Sequence, residues 1–180
     1  VFKHLEFRFA VFPRQGGRPP NLENLDDLEV LSRTIARMHA AGAQQPFQHR
    51  PQINAQRFGH DSRDFLLANN FLPAEMESAY ASVSEHLLQR IDPLMTDAPN
   101  IRIHGDCHMG NILWRDEIPH FVDFDDCMMG PPIQDLWMLL SGERHDQTAQ
   151  LATILDAYND FYPFAVNTLN LIEPLRTLRI

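Results

Sequence analysis

A short polar loop enclosed by apolar runs is the feature that most constrains how this chain can fold. The loop, His-Gly-Asp-Cys-His-Met-Gly-Asn, covers residues 104–111. Apolar runs at 101–103, 112–114 and 121–122 surround it, and the last of them ends at Asp123. Short apolar or alternating runs bounded by turn-forming residues predict β-strands. We therefore predict that short strands bracket the loop and precede Asp123.

Three polar residues of this region have a spacing that indicates a chemistry. Asp106 lies five residues before Asn111, and Asp123 lies twelve residues after Asn111. Phosphoryl transfer needs one carboxylate at the acceptor hydroxyl, and an amide oxygen with a second carboxylate to hold the magnesium that bridges the nucleotide phosphates. The spacing therefore predicts Asp106 as the catalytic proton acceptor. It predicts Asn111 and Asp123 as metal ligands for Mg²⁺ and ATP, with Asp123 also counted as catalytic.

Helical periodicity dominates the rest of the chain and predicts an α+β fold. Apolar residues recur at spacings of three and four over 25–38, with Asn24 as the N-cap and Gly42 at the end. A long helix is predicted from Pro73, and the pair Asp92-Pro93 should end it. Further predictions are a strand or half-buried hairpin over 2–12, a surface connection over 43–62, and helices over 64–71, 133–140, 151–161 and 171–180.

Charge and composition exclude several classes of protein. The formal net charge is -9, with 24 acidic and 15 basic residues, so a nucleic-acid partner, which needs a basic face, is not expected. No stretch approaches the roughly 20 apolar residues that cross a bilayer, and no membrane association is expected. The two cysteines, Cys107 and Cys127, make no disulfide framework. A cytoplasmic protein is the expectation.

A zinc site in the loop is an alternative for several of its side chains. Cys107, His108, His104 and Asp106 are all capable ligands. Structural zinc sites usually space paired ligands by two to four residues and take a second pair from elsewhere in the chain. Cys127 alone does not provide that pair. We therefore set zinc aside.

Other polar residues of the region receive different interpretations. His104 is expected to pack and hydrogen-bond beneath the loop, because a carboxylate already fills the role of proton acceptor. His108 could equally approach phosphate or bond only backbone groups. Asp135 is expected to be a structural carboxylate that binds backbone amides of the loop. Asp125 and Asp126 receive no role from their chemistry alone.

A longer set of residues resembles a known family. The loop with Val-Asp at 122–123 resembles the aminoglycoside phosphotransferase and choline kinase group of kinase-like enzymes. The string from His104 to Asp116, with Phe-Val-Asp-Phe-Asp-Asp at 121–126 and Gln-Asp-Leu-Trp-Met-Leu-Leu at 134–140, is similar to the bacterial stress response kinase A family. Further matches are Phe-Ala-Val-Phe-Pro at 9–13, Arg-Met-His at 37–39 and Leu-Ile-Glu-Pro-Leu-Arg at 171–176.

The resemblance implies a bilobal, protein-kinase-like fold and Mg-ATP as the phosphate donor. It implies a Ser/Thr protein kinase of the stress response, with Asp106, Asn111 and Asp123 in the roles given above and Phe12 in a hinge that contacts the nucleotide. A monomer is expected. The runner-up is a kinase of small hydroxyl compounds of the aminoglycoside, choline or homoserine type, because the same loop serves both. A catalytically silent nucleotide-binding scaffold is the alternative from another class.

The resemblance also predicts how the chain divides into lobes. Residues 1–13 would be the last strands of the small lobe and the start of the hinge, and residues 14–180 the helical large lobe. Lys3 is the chain's one lysine, but it lies too close to the hinge to serve as the small-lobe lysine that grips phosphates. We therefore expect a chain truncated at both ends, its large lobe incomplete at the C-terminus, and inactive by itself.

Overall fold

Helices and three two-stranded antiparallel ladders make up the part of the chain that the computed structural model describes, residues 1–179. The helices are α1 (Leu25–Gly42), α2 (Asp61–Ala68), α3 (Ala74–Thr96), α4 (Ile133–Trp137), α5 (Arg144–Asn159) and α6 (Ile172–Leu178). The strands are β1 (Phe2–His4), β2 (Phe7–Phe9), β3 (Ile101–Ile103), β4 (Ile112–Arg115), β5 (Ile118–Phe121) and β6 (Met128–Gly130). The ladders are β1–β2, β3–β6 and β4–β5. The predicted α+β class is confirmed.

Helix α1 is the centre of the hydrophobic core. Its apolar stripe, including Leu28 and Ile35, is fully buried and packs against α5 and β3. The side chain of Asn24 accepts a hydrogen bond from the Asp26 amide at 3.0 Å, as an N-cap does. At the other end, a Cβ on Gly42 would lie 2.3 Å from the carbonyl oxygen of Arg102, so only glycine allows this approach. The predicted helix and both of its ends are confirmed.

The two ladders of the second half present the polar loop. Strand β3 precedes the loop and pairs with β6, which places Ile103 opposite Met128. Strands β4 and β5 form a hairpin closed by Asp116 and Glu117, both at positive φ. A two-residue turn with positive φ at both positions matches the right-handed twist of paired strands. Strands β3 and β4 match the predictions, β5 begins earlier than the predicted run at 121–122 and leaves Val122 outside, and β6 was not predicted.

The predicted end of the long helix at Asp92-Pro93 is wrong, because α3 continues through Pro93 to Thr96. Proline removes one backbone hydrogen bond from a helix interior. The extra turn brings Leu94 and Met95 against the core, which offsets that loss. The apolar residues of α3 do not form one buried stripe: Leu88 and Ile91 are buried, while Met76, Val83 and Leu87 are exposed.

The prediction of a surface connection over 43–62 is wrong in its second part. A short π-helical segment, Gln56–His60, leads directly into α2, which therefore begins and ends earlier than predicted. The Asn54 side chain starts this segment by accepting from the Arg57 amide at 2.8 Å. Phe58 packs against the core, and a Cβ on Gly59 would lie 2.2 Å from the Leu88 side chain. A single aromatic residue and a close-packed glycine leave no apolar periodicity to detect.

The remaining helices are present with shifted limits. Helix α4 is shorter than predicted, and α5 begins earlier because Glu143 and Asp146 form a capping box. Phe161 lies beyond α5 and is exposed. A 3-10 segment, Val166–Leu171, precedes α6, and the predicted position Ile180 lies outside the described residues. No helix among residues 1–179 has both the length and the apolar character of a membrane span.

The β1–β2 hairpin is present, but the prediction that it is half-buried is wrong for the described chain. All residues of both strands are exposed. The rings of Phe2 and Phe9 stack on one another with centroids 5.5 Å apart. Cross-strand contacts within the hairpin therefore stabilise it, and packing against the core does not.

Candidate active site

The loop after β3 is shaped by a glycine. Gly105 has φ of +87°, a conformation that favours glycine, and a Cβ there would lie 2.4 Å from the carbonyl oxygen of Asp126. The loop then ends in a 3-10 turn, Met109–Asn111, in which His108 Nδ1 accepts from the Gly110 amide at 2.9 Å. This path folds the loop back on itself and brings Asp106 next to Asn111.

The side chain of Asn111 is oriented by Asp106. Its Nδ2 donates to the Asp106 carbonyl oxygen at 3.0 Å and approaches the Asp106 carboxylate at 3.3 Å. Both of those oxygens are acceptors, so the NH₂ group must face Asp106 and the amide oxygen must face away. The asparagine is almost fully buried. The arrangement leaves one fixed amide oxygen for a cation.

Asp123 lies at the same end of the β4–β5 hairpin as Asn111. The Val122 amide donates to the Asn111 carbonyl at 3.0 Å, one step beyond the pairing of Ile112 with Phe121. Asp123 itself is left-handed, with φ and ψ of 62°, which is uncommon for a residue other than glycine. Its side chain is exposed and does not cap the 3-10 turn that follows, Phe124–Asp126. Strained backbone of this kind is frequent at functional sites.

The side-chain oxygens of Asn111 and Asp123 are suited to be two of the ligands of a magnesium ion. Among residues 1–179, no group of three or more His, Cys, Asp or Glu side chains is placed to hold a metal ion by itself. Mg²⁺ commonly keeps several waters and is bound by one or two carboxylates together with substrate phosphates. Asn111 and Asp123 would hold such an ion, which would neutralise charge on a nucleotide. Asp125 and Asp126 are exposed in the turn, and Arg50 donates to the Asp125 carbonyl.

A fully buried polar network holds the beginning of the loop. The carboxylate of Asp135, at the start of α4, accepts from the amides of His104 and Gly105, each at 2.8 Å. The third partner is His39 of α1, whose Nε2 lies 2.9 Å from Asp135 and whose Nδ1 lies 2.8 Å from the hydroxyl of Tyr158. The predicted role of Asp135 is confirmed. The part played by His39 was missed, because nothing in its local sequence separates it from other helical histidines.

The hydrogen-bond directions of this network follow from the proton on Tyr158. The pKa of Tyr158 is raised, chiefly by burial and further by the neighbouring Tyr162 and Asp135. The phenol therefore keeps its proton and can donate to His39 Nδ1, and His39 Nε2 can then donate to Asp135. Each polar group of the network has a partner, as buried polar groups require.

The two histidines of the loop have different positions. His104 is buried, its Nε2 lies 2.9 Å from the Val122 carbonyl, and its ring lies beside Phe124. It therefore ties the loop to the β5 end, and its predicted structural role is confirmed. His108 is half-exposed, and its Nε2 lies 3.4 Å from Asp106 Oδ2.

Cys107 is fully buried, and burial raises the pKa of its thiol, as do the nearby Asp135 and Asp106.

Two further residues bear on the predicted site. Arg179, just after α6, places its guanidinium 2.6 Å from the Asp106 carboxylate, and sequence reasoning missed it.

Phe12 is 81% exposed in the extended segment after β2. That segment is tied to β4 by mutual backbone hydrogen bonds of Arg18 and Trp114, at 3.0 and 2.7 Å. The role of Phe12 as a nucleotide contact stays a prediction.

Comparison with known proteins identifies the family of this chain. The chain belongs to the phosphotransferase enzyme family, whose model matches residues 2–167. It is 41% identical to "Stress response kinase A" of Escherichia coli strain K12, and 40% identical to "Serine/threonine protein kinase RdoA" of Salmonella typhimurium strain LT2. Each alignment covers 100% of this chain and 55% of the relative, so the chain spans about half the length of those relatives. The resemblance to stress response kinase A is confirmed.

Solved structures share the fold. An amicoumacin kinase bound to AMP-PNP, Ca²⁺ and amicoumacin matches with a TM-score of 0.70 and 19% identity, over 92% of this chain and 53% of the other. A gentamicin complex of the enzyme APH(2")-IIa matches with a TM-score of 0.61 and 14% identity, over 92% and 58%. The predicted aminoglycoside phosphotransferase-like kinase fold is confirmed.

Proposed function

We propose that the complete protein is an ATP- and Mg²⁺-dependent phosphotransferase that acts on a hydroxyl group. The observation that carries the proposal is the pairing of Asp106 with Asn111, which leaves the amide oxygen of Asn111 facing away from Asp106, beside the hairpin end that bears Asp123. This arrangement supports a role for one carboxylate at an acceptor hydroxyl and for two oxygen donors at a cation.

The roles of the residues follow from this arrangement. Asp106 accepts the proton of the acceptor hydroxyl as its oxygen attacks the terminal phosphate of ATP, and the bond from that phosphate to ADP breaks. Asn111 and Asp123 would hold Mg²⁺, which would supply charge neutralisation at the phosphates. The residues of this chain would contribute by positioning the reacting groups and by stabilising the charge of the phosphates, as is usual in phosphoryl transfer. In this proposal Phe12 contacts the nucleotide.

For the acceptor, we propose serine or threonine hydroxyls of proteins, acting in a stress response. The support is the naming of relatives that are 40–41% identical over the whole chain. The same proposal assigns residues 1–13 to the small lobe and the start of the hinge, and 14–180 to the large lobe. The exposure of β1–β2 on both faces suits strands that belong to a separate lobe. A cytoplasmic, monomeric protein stays a prediction from the sequence.

A small hydroxyl compound is the second candidate acceptor, because the structure has a cleft of suitable size. The cleft, about 490 Å³, lies between α2, α3 and α6. Pockets for small ligands typically have volumes of about 300–1,000 Å³ and mix apolar walls with a few polar groups. Here Leu66, Leu87 and Leu88 supply apolar surface, and Arg63 and Arg179 supply charge.

A phosphate-transfer assay on the complete protein tests the proposal. Radiolabelled ATP and Mg²⁺ are supplied with a generic protein acceptor, with no added acceptor, and with a panel of small hydroxyl compounds. Label in protein supports a protein kinase, and label in a small compound supports the second candidate. Asp106→Asn should remove transfer, and Asp126→Asn, in the exposed turn, should retain it. Absence of transfer to every acceptor contradicts the proposed function.

A further inference from the structure

Arg179 makes two contacts with the loop that carries the proton acceptor. Its Nη2 lies 2.6 Å from Asp106 Oδ1, and its Nη1 donates to the Gly105 carbonyl. The side chains of Arg179 and Asp106 are 31% and 20% exposed, so this ion pair is partly shielded from water. A planar guanidinium that holds two acceptors at once fixes geometry better than a single point charge does.

The two oxygens of the Asp106 carboxylate have different partners. Arg179 holds Oδ1, whereas the contacts of Oδ2 within residues 1–179 are longer, 3.3 Å to Asn111 Nδ2 and 3.4 Å to His108 Nε2. The short contact fixes the rotamer and turns Oδ2 toward Asn111, one of the two proposed metal ligands. Resting on the proposed function, we propose that Arg179 is a positioning residue that holds Asp106 so that Oδ2 accepts the proton of the acceptor hydroxyl.

The position of Arg179 is itself well defined by the packing of α6. Leu175 is fully buried in the core, and the guanidinium of Arg176 lies over the Trp137 ring at 5.1 Å. Trp137 belongs to α4, the helix that also carries Asp135. Residues of α4 and the residue that follows α6 therefore both contact Gly105 in the loop.

Gly105 is the residue held from both sides. Asp135 accepts from its amide, and its carbonyl accepts from Gln134 Nε2 at 3.1 Å and from Arg179. The α4 contacts fix the peptide groups at the start of the loop, but the only one of these side chains that also reaches the Asp106 carboxylate is Arg179. Arg179 also lines the cleft between α2, α3 and α6. It therefore connects the proton acceptor to a surface where an acceptor molecule can approach.

The test uses the complete protein with Arg179→Ala, Arg179→Lys and the control Arg90→Ala, which removes an exposed arginine from α3. Arg179→Ala should lower kcat by about 10- to 100-fold with the KM for ATP unchanged, because small misplacements of reacting groups cost up to about 10²-fold. Added guanidinium ion should restore part of the rate, Arg179→Lys should retain part of it, and Arg90→Ala should match the wild type. An unchanged kcat in Arg179→Ala overturns the inference. A loss of about 10- to 100-fold in kcat that added guanidinium does not partly restore also overturns it.

A second measurement separates this inference from the proposed function. Hydrogen exchange of the amides at 105–111 is followed without nucleotide or acceptor, so it needs no enzymatic activity. Exchange should be faster in Arg179→Ala and unchanged in Arg90→Ala, and equal exchange in all forms overturns the role of Arg179. An inactive wild type with faster exchange in Arg179→Ala would instead contradict the proposed function and leave the loop contact standing.

Discussion

The imidazole of His39 and the carboxylate of Asp135 lie 2.9 Å apart, and neither side chain is exposed to solvent. The two residues are 96 positions apart in the sequence and belong to α1 and α4. Their contact connects the central helix of the core to the amides of the two residues that begin the loop at 104–111. The stability of the core and the position of the loop therefore depend on the same polar group.

Replacing His39 should destabilise the fold. His39→Ala removes a partner from the buried carboxylate of Asp135 and also leaves the hydroxyl of Tyr158 without its acceptor. Leaving buried hydrogen-bonding groups without a partner typically costs about 1–3 kcal/mol. We expect a loss of that size in the free energy of unfolding, measured by urea denaturation. Tyr158→Phe is the milder comparison, with an expected loss of about 1 kcal/mol. An equal, small effect of both changes would contradict the network.

Gly105 should tolerate no side chain. Gly105→Ala places a Cβ at positive φ and 2.4 Å from a backbone oxygen, so the loop must move. Strain of this kind costs about 1–3 kcal/mol, and the displaced Asp106 should lower the rate of phosphate transfer. Gly16→Ala is the matched control, because a Cβ there meets no atom within 4 Å. Thermal unfolding and transfer rates of the two variants provide the comparison, and similar values for both would argue against the loop geometry.

Mg²⁺ dependence should respond to Asp123 and not to its neighbour in the turn. Asp123→Asn keeps the shape of the side chain but weakens an anionic ligand, so half-maximal activity should need at least about tenfold more Mg²⁺. Asp126→Asn, exposed in the same turn, should leave the Mg²⁺ titration unchanged. Chelation by EDTA should stop the reaction in every form. A normal titration for Asp123→Asn would remove this residue from the metal site.

The two cysteines should differ in reactivity. Burial raises the pKa of the Cys107 thiol, so this group stays protonated at neutral pH, and the thiolate is the reactive form. Cys127 is only partly buried. Iodoacetamide at pH 7.5 should therefore modify Cys127 first and Cys107 only after unfolding, as measured by mass spectrometry of peptides. Cys127→Ser should then resist alkylation until denaturant is added, and rapid labelling of that variant would contradict the burial of Cys107.

The sequence predicted the features that depend on local signals. The strands on both sides of the loop, the N-cap at Asn24 and the glycine at the end of α1 were all predictable, because apolar patterning and capping chemistry determine them. Asp135 was also predicted correctly, since a carboxylate at a helix start near a loop commonly binds backbone amides.

The features that were missed depend on contacts between distant residues. Helix α3 passes through Pro93 because the next turn reaches the core, and no local rule contains that contact. His39 and Arg179 act on the loop from 65 and 73 residues away, counted to His104 and to Asp106. The match of Arg-Met-His at 37–39 assigned no role to His39, and Arg179 belongs to no pattern, so only the packing of α1 and α6 could place them at the loop.

The hairpin that carries Asn111 and Asp123 at one end has its two-residue turn, Asp116 and Glu117, at the other. Both turn residues are exposed, and four residues of strand at about 3.3 Å each separate them from the site by roughly 13 Å. A fluorescent label or a short peptide tag placed in this turn would therefore lie clear of Asn111 and Asp123. The turn is an attachment point for a probe with which the proposed binding of nucleotide can be measured.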